Sequence, residues 1–110
     1  MIAKIDIRII IRFIYYNIFI IIIILVLIAI IEYGMGNVRS VYNAFTLLEQ
    51  NVQITSDPKV LEHADAIVLP GVGAFSDGMK NLKEKGLIDA LTKQVIDKKK
   101  PYLGICLGLE

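Results

Sequence analysis

Short runs of apolar residues recur along the chain, and three of them lead directly into loops that contain glycine. These runs are residues 27–31, residues 65–69 and the residues that follow Pro101. Strands of a parallel sheet have this continuous apolar pattern because both faces of the sheet are covered. A fourth segment, Val52–Thr55, alternates apolar and polar residues and predicts a shorter strand.

Helical spacing of apolar residues separates the predicted strands. Residues 37–49 predict a helix that begins after Asn37, a suitable N-cap, and that has these side chains on one face: Val38, Val41, Tyr42, Phe45 and Leu48. Asp57-Pro58 opens a short helix, and residues 75–86 and 87–99 predict two more, with Gly86 as the stop between them. The order β-α-β-α-β-α-α-β predicts an α/β fold with a doubly wound parallel sheet.

The N-terminal part of the chain has a different composition. Residues 13–31 contain no charged residue and follow a basic flank, which satisfies the sequence test for a membrane-spanning helix. The same run also contains the predicted strand 27–31, and one segment cannot be both. We therefore interpret residues 1–26 as an Ile-rich extension, either a membrane anchor or the product of an upstream start codon, and favour the second. Residues 27–110 then form the α/β domain.

Size, charge and cysteine content limit the possible functions. A chain of 110 residues provides one small domain, and its net charge of +1 gives no electrostatic reason to expect nucleic acid as a partner. One cysteine excludes an internal disulfide and fits a reducing compartment, so we expect a cytoplasmic protein unless residues 13–31 anchor it in a membrane.

The candidate chemistry is at the end of the chain, in Gly104-Ile105-Cys106-Leu107-Gly108. Gly-x-Cys-x-Gly after an apolar strand has the spacing of a nucleophile elbow, a sharp turn that exposes a reactive side chain. Cys106 is then the nucleophile, and the backbone N–H of Leu107 faces a developing oxyanion. The alternative is that Cys106 is a small buried apolar residue, which is the common case for a single cysteine.

Two upstream loops bear on this choice. Gly71 and Gly73 follow the strand 65–69, where ligand sites of α/β proteins form, and predict either a loop that completes an oxyanion hole or a plain tight turn. Gly34 and Gly36 follow the first strand, but the spacing lacks the third glycine of a dinucleotide loop, so we favour a tight turn. His63, at a helix end, is expected on the surface. No metal site or cofactor is predicted.

Three segments together carry a resemblance to a known family. They are residues 32–37 (Glu-Tyr-Gly-Met-Gly-Asn), residues 69–79 (with Pro-Gly-Val-Gly-Ala-Phe and Asp-Gly-Met) and residues 104–108. In this order they resemble class I glutamine amidotransferases, and within that group the glutaminase subunits of imidazole glycerol phosphate synthase. The resemblance covers about residues 28–110.

The resemblance implies that a cysteine thiolate attacks the side-chain amide of glutamine and that ammonia passes to a cyclase, a (β/α)₈ barrel, in a heterodimer. It implies these roles: Cys106 as nucleophile, Val72 and Leu107 as backbone oxyanion donors, Gly71, Gly73 and Glu110 near glutamine, and Gly34, Gly36 and Asn37 facing the partner.

Two departures from the family pattern bear on activity. The family has Gln where Glu110 stands, and its His and Glu, which activate the cysteine, belong to a further C-terminal half. We therefore expect a fragment that is inactive alone. An amidotransferase of another pathway and a membrane-anchored, non-catalytic protein remain alternatives.

Overall fold

The computed structural model describes residues 6–71 and 75–105, apart from the side chains of Ile23, Ile24 and Phe75. The elements in chain order are α1 (Ile7–Leu25), β1 (Ile28–Ile31), α2 (Val38–Leu47), β2 (Val52–Thr55), α3 (Pro58–His63), β3 (Ala66–Leu69), α4 (Phe75–Glu84), α5 (Leu87–Leu91), a π-helical segment (Thr92–Asp97) and β4 (Tyr102–Gly104).

The four strands form one parallel sheet in the order β2-β1-β3-β4. Ile30 of β1 pairs with Ile54 of β2 on one side and with Val68 of β3 on the other, and Val68 pairs with Leu103 of β4. The α/β fold class and the parallel sheet predicted from the sequence are confirmed. Because all strands run in one direction, the carboxyl ends of β1, β3 and β4 lie at the same edge of the sheet.

The main core lies between one face of the sheet and α3, α4 and α5. It contains alternate residues of β1 and β3 together with helix residues, namely Ala29, Ile31, Tyr33, Ile67, Leu69, Leu61, Ala64, Leu82 and Leu87. α2 packs against β1 and β2. Burying one such leucine stabilises the fold by about 1.5–3 kcal/mol.

The helices begin where capping side chains predict. The Asn37 Oδ1 accepts a hydrogen bond from the Ser40 N–H at 3.0 Å, and the Asp57 Oδ1 accepts from the Lys59 N–H at 2.9 Å. Gly86 has a φ of 68°, the left-handed conformation expected of a helix stop. The helix predicted for residues 37–49 ends earlier, at Leu47, and Leu48 at its C-cap is 68 % exposed instead of facing the sheet.

The N-terminal apolar run is divided between two elements. α1 ends at Leu25, and β1 begins at Ile28 after an extended residue, Val26. The strand predicted for residues 27–31 is therefore confirmed, beginning one residue later. Among the helices formed by the described residues, none is long and apolar enough to cross a membrane.

Candidate active site

Glycines lie at the edge of the sheet where β1, β3 and β4 end. Gly34 and Gly36 follow β1, Gly71 follows β3, and Gly104 is the last residue of β4. β3 is bonded to both of the other strands, so its carboxyl end lies between theirs. The described residues thus bring together the ends of the three strands that precede the segments singled out from the sequence as a candidate site.

The loop after β1 lies directly against the loop after β3. A Cβ atom added to Gly36 would lie 2.8 Å from the Cα and N atoms of Gly71 and 2.9 Å from the carbonyl carbon of Pro70. Gly36 also has a φ of 81°, a conformation that residues with a side chain rarely adopt. Both the space and the backbone conformation at this position therefore require glycine.

Hydrogen bonds of the chain itself fix the first loop. The Gly34 N–H donates to the Glu32 Oε1 at 3.0 Å, and Gly34 has a φ of 82°. Asn37 holds the other end of the loop through its cap on α2. A Cβ on Gly34 would lie 3.2 Å from the Asn81 Nδ2 of α4, which places α4 beside this loop.

The strand that leads to the predicted nucleophile is bonded to β3 up to its last described residue. The Ile105 N–H donates to the Leu69 carbonyl at 3.0 Å, and Gly104 is buried. The next residue along the chain is Cys106. Cys106 lies outside the described residues, as do the other predicted site residues Val72, Gly73, Leu107 and Glu110, so their roles stay predictions.

Tyr33 is a buried polar residue that the sequence analysis did not single out. Its side chain is 1 % exposed, and its hydroxyl has no hydrogen-bond partner among the described residues. Burial, and secondarily the nearby Tyr102, raises the pKa of Tyr33. The alternation of Ala29, Ile31 and Tyr33 could have indicated this buried position from the sequence. It continues the inward face of β1 by one step beyond the strand.

His63 and the acidic residues provide no site in the described part of the chain. His63 is exposed at the end of α3, which precedes the amino end of β3 and so lies at the opposite edge from the glycine loops. This agrees with the surface position predicted for it. Within residues 6–71 and 75–105, no group of three or more His, Cys, Asp or Glu residues could hold a metal ion.

Comparison with known proteins identifies the family. A family model described as "Glutamine amidotransferase class-I" matches residues 29–110. The chain belongs to this family. The resemblance inferred from the three glycine-containing segments is thereby confirmed, and the matched range contains all of them. The predicted parallel sheet is consistent with the fold of class I glutamine amidotransferases.

Curated relatives in this family carry a more specific name. The chain is 54 % identical over 82 residues to "Imidazole glycerol phosphate synthase subunit HisH 2" of Methanococcus maripaludis, covering 74 % of this chain and 41 % of the relative. It is 48 % identical over 84 residues to the protein of that name from Vibrio vulnificus, covering 76 % and 39 %. It is 54 % identical over 83 residues to "Imidazole glycerol phosphate synthase subunit HisH" of Methanothermobacter thermautotrophicus, covering 76 % and 40 %.

The matches are confined to one part of each relative. The chain spans about two fifths of the length of these amidotransferases. The matched part begins with β1 and includes the three glycine loops, while α1 precedes it.

Proposed function

We propose that this chain supplies the nucleophile and the oxyanion loop of a glutaminase subunit of imidazole glycerol phosphate synthase, which delivers ammonia for histidine biosynthesis. Two observations carry the proposal: Gly36 lies against Gly71, and the N–H of Ile105, the residue before Cys106, donates to the Leu69 carbonyl. The names of the relatives support the choice of pathway. A cytoplasmic location stays a prediction.

The chemistry follows from the residue types at this edge. The Cys106 thiolate attacks the side-chain amide carbon of glutamine, and the N–H groups of Val72 and Leu107 donate to the resulting oxyanion. The C–N bond then breaks, the nitrogen takes a proton and leaves as ammonia, and a glutamyl thioester forms. Water hydrolyses the thioester to glutamate and restores the thiol. Gly71, Gly73 and Glu110 are proposed to lie near the glutamine.

A general base for Cys106 has to come from elsewhere. The one histidine of the sequence, His63, lies at the opposite edge of the sheet. General-base assistance is typically worth about 10²–10⁴-fold in rate. We therefore propose that the remaining part of an amidotransferase subunit supplies the base, and that the chain alone turns over glutamine slowly.

The loop of Gly34, Gly36 and Asn37 is proposed to face the cyclase partner, a (β/α)₈ barrel. This loop is held at both ends by side-chain hydrogen bonds, from the Gly34 N–H to Glu32 and from the Ser40 N–H to Asn37. A rigid loop is suited to docking because little backbone freedom is lost when the partner binds.

A chimaeric subunit tests the function. Residues 29–110 of this chain replace the matching stretch of the Methanococcus maripaludis relative, and the resulting chimaera is mixed with that organism's cyclase subunit. We expect release of glutamate from glutamine, and loss of release in the Cys106→Ser variant. A chimaera that folds and binds the cyclase but releases no glutamate would contradict the proposal.

A further inference from the structure

Lys100 makes two short hydrogen bonds that the sequence did not predict. Its ammonium donates to the Leu61 carbonyl at 2.8 Å and to the Glu62 carbonyl at 2.7 Å. These carbonyls belong to the last turn of α3, so Lys100 caps a helix that lies almost forty residues earlier in the chain. The ammonium of Lys100 therefore does not simply extend into solvent at the end of its own helix.

The surroundings of the Lys100 ammonium are those of a partly desolvated charge. The side chain is half-buried, and burial is the first cause that lowers its pKa, followed by the positive charge of Lys98. The carboxylates of Asp65 and Glu62 act in the opposite direction. The two hydrogen bonds to the end of α3 hold the side chain in one place.

The turn that contains Lys100 is closely determined. Lys99 has a φ of 56°, which is unusual for a residue with a side chain and is stable only where its surroundings impose it. The Lys100 N–H donates to the Gln94 carbonyl at 3.1 Å, and the next carbonyl, that of Pro101, accepts from the Ile67 N–H at 3.0 Å. The backbone therefore enters β4 at a fixed point relative to β3.

Apart from this turn, few contacts of the described residues set the register of β4 against β3. It consists of three residues, and among the described strands it pairs only with β3. A parallel strand advances about 3.3 Å per residue, and a slip of one residue turns every side chain to the other face. Such a slip would move Cys106, six positions after Lys100, away from the edge it is proposed to occupy.

We propose that Lys100 is a positioning residue that fixes the register of β4 against β3 by holding the carbonyl end of α3. The inference rests on the proposed function in one respect, since the purpose of the fixed register is to place Cys106. The register itself is a property of the described residues and is open to a separate measurement.

Amide hydrogen exchange on the chain tests the register. Lys100→Met removes the ammonium and keeps the length of the side chain, Lys100→Arg keeps a donor, and Lys98→Met removes a neighbouring exposed charge as the matched control. The reporters are the amides of Ile67 and Ile105, which bond across the β3–β4 pair. The amides of Ile28 and Glu32, which donate to Asn51 just before β2 and to Thr55 at the end of β2, are the internal reference.

We expect exchange at Ile67 and Ile105 to accelerate by roughly tenfold or more in Lys100→Met, with Ile28 and Glu32 unchanged, because the opening is local. Lys100→Arg should restore most of the protection, and Lys98→Met should match the original chain. Equal acceleration at all four amides, or no acceleration in Lys100→Met, would overturn the inference.

Alkylation of Cys106 by iodoacetamide, followed against pH in the same proteins, separates positioning from a purely structural role. We expect Lys100→Met to shift the pH midpoint of alkylation or to change its limiting rate at least about threefold. Lys98→Met should leave both unchanged. An unchanged profile in Lys100→Met overturns the positioning role. If Cys106 of the original chain alkylates no faster than a free thiol, the proposed function fails, and the exchange result still decides the role of Lys100 in the register.

Discussion

Gly36 and Gly71 are in backbone contact across the loops that follow β1 and β3, with 2.8 Å between the Cα of Gly71 and the position of a Cβ on Gly36. The two residues lie 35 positions apart, yet each loop restricts where the other can lie. The loop proposed to face the partner therefore packs against the loop proposed to supply an oxyanion donor. A change in one loop must be accommodated by the other.

Gly36→Ala should destabilise the chain more than Gly86→Ala. Both positions are left-handed, which costs a residue with a side chain about 1–2 kcal/mol. A Cβ on Gly86 meets nothing within 4 Å, whereas a Cβ on Gly36 meets the backbone of Gly71 and Pro70. Urea unfolding of the two variants measures the difference. Equal losses of unfolding free energy would show that the contact between the loops carries no cost.

Tyr33→Phe should leave the stability unchanged or raise it, because the hydroxyl is buried and has no partner among the described residues. Leaving such a group unpaired costs about 1–3 kcal/mol. Tyr33→Leu, the control, should destabilise by removing part of the core. Thermal unfolding measures the stability of both variants. A loss of stability in Tyr33→Phe as large as that in Tyr33→Leu would show that the hydroxyl has a partner.

The raised pKa of Tyr33 also predicts a pH dependence. A group whose pKa is higher in the folded state stabilises the fold below its ordinary pKa, about 10 for tyrosine, and this contribution is lost as pH rises through the folded value. The free energy of unfolding should therefore fall above about pH 10, and fall less steeply in Tyr33→Phe. Parallel curves for the two proteins between pH 9 and 11.5 would contradict the assignment.

Much of the fold follows from local patterns in the sequence. Continuous apolar runs predict β1 and β3, and Asn37 and Asp57 cap helices at the positions their side chains allow. Gly86 separates two helices as expected, although the second continues as the π-helical segment instead of a regular helix. These features depend on neighbours within a few residues.

Features set by distant parts of the chain were not predictable in the same way. Lys100 bonds to carbonyls 38 and 39 residues away, which no spacing rule indicates. The close approach of Gly36 to Gly71 depends on the order of the strands in the sheet. The motif resemblance predicted the residues of the candidate site, but Val72, Gly73, Cys106, Leu107 and Glu110 lie outside the described residues.

Removal of residues 1–26, with an added Met before Leu27, should give a more soluble chain with the same sheet. Most described apolar side chains of α1 are exposed, for example Phe13 at 68 % and Phe19 at 62 %. The hydrogen bond from the Leu27 N–H to the Asp65 Oδ2 is kept in the shortened chain. Solubility after high-speed centrifugation is the measurement. A shorter chain that is less soluble, together with a longer one that resists carbonate extraction from membranes, would favour the membrane anchor.

Two substitutions in the glycine loop after β3 should affect glutamine hydrolysis by the chimaera to different extents. Val72→Ala should change glutamine hydrolysis little, since Val72 is proposed to act through its N–H. Gly73→Val should lower the rate on the order of 10²–10³-fold, the cost of losing one oxyanion donor, because a branched side chain restricts the backbone. Cyclase binding should be nearly unchanged in both. Full activity in Gly73→Val with none in Val72→Ala would assign the role to a side chain.

Labelling of the chimaera with 6-diazo-5-oxo-norleucine, a reactive analogue of glutamine, tests whether Cys106 is the glutaminase nucleophile. Peptide mass spectrometry then identifies the labelled residue. We expect one adduct on Cys106, formed in the presence of the cyclase, slowed by excess glutamine and absent in Cys106→Ser. A folded, cyclase-bound chimaera that carries no adduct on Cys106, or that is labelled equally in Cys106→Ser, would contradict the assignment of Cys106 as the glutaminase nucleophile.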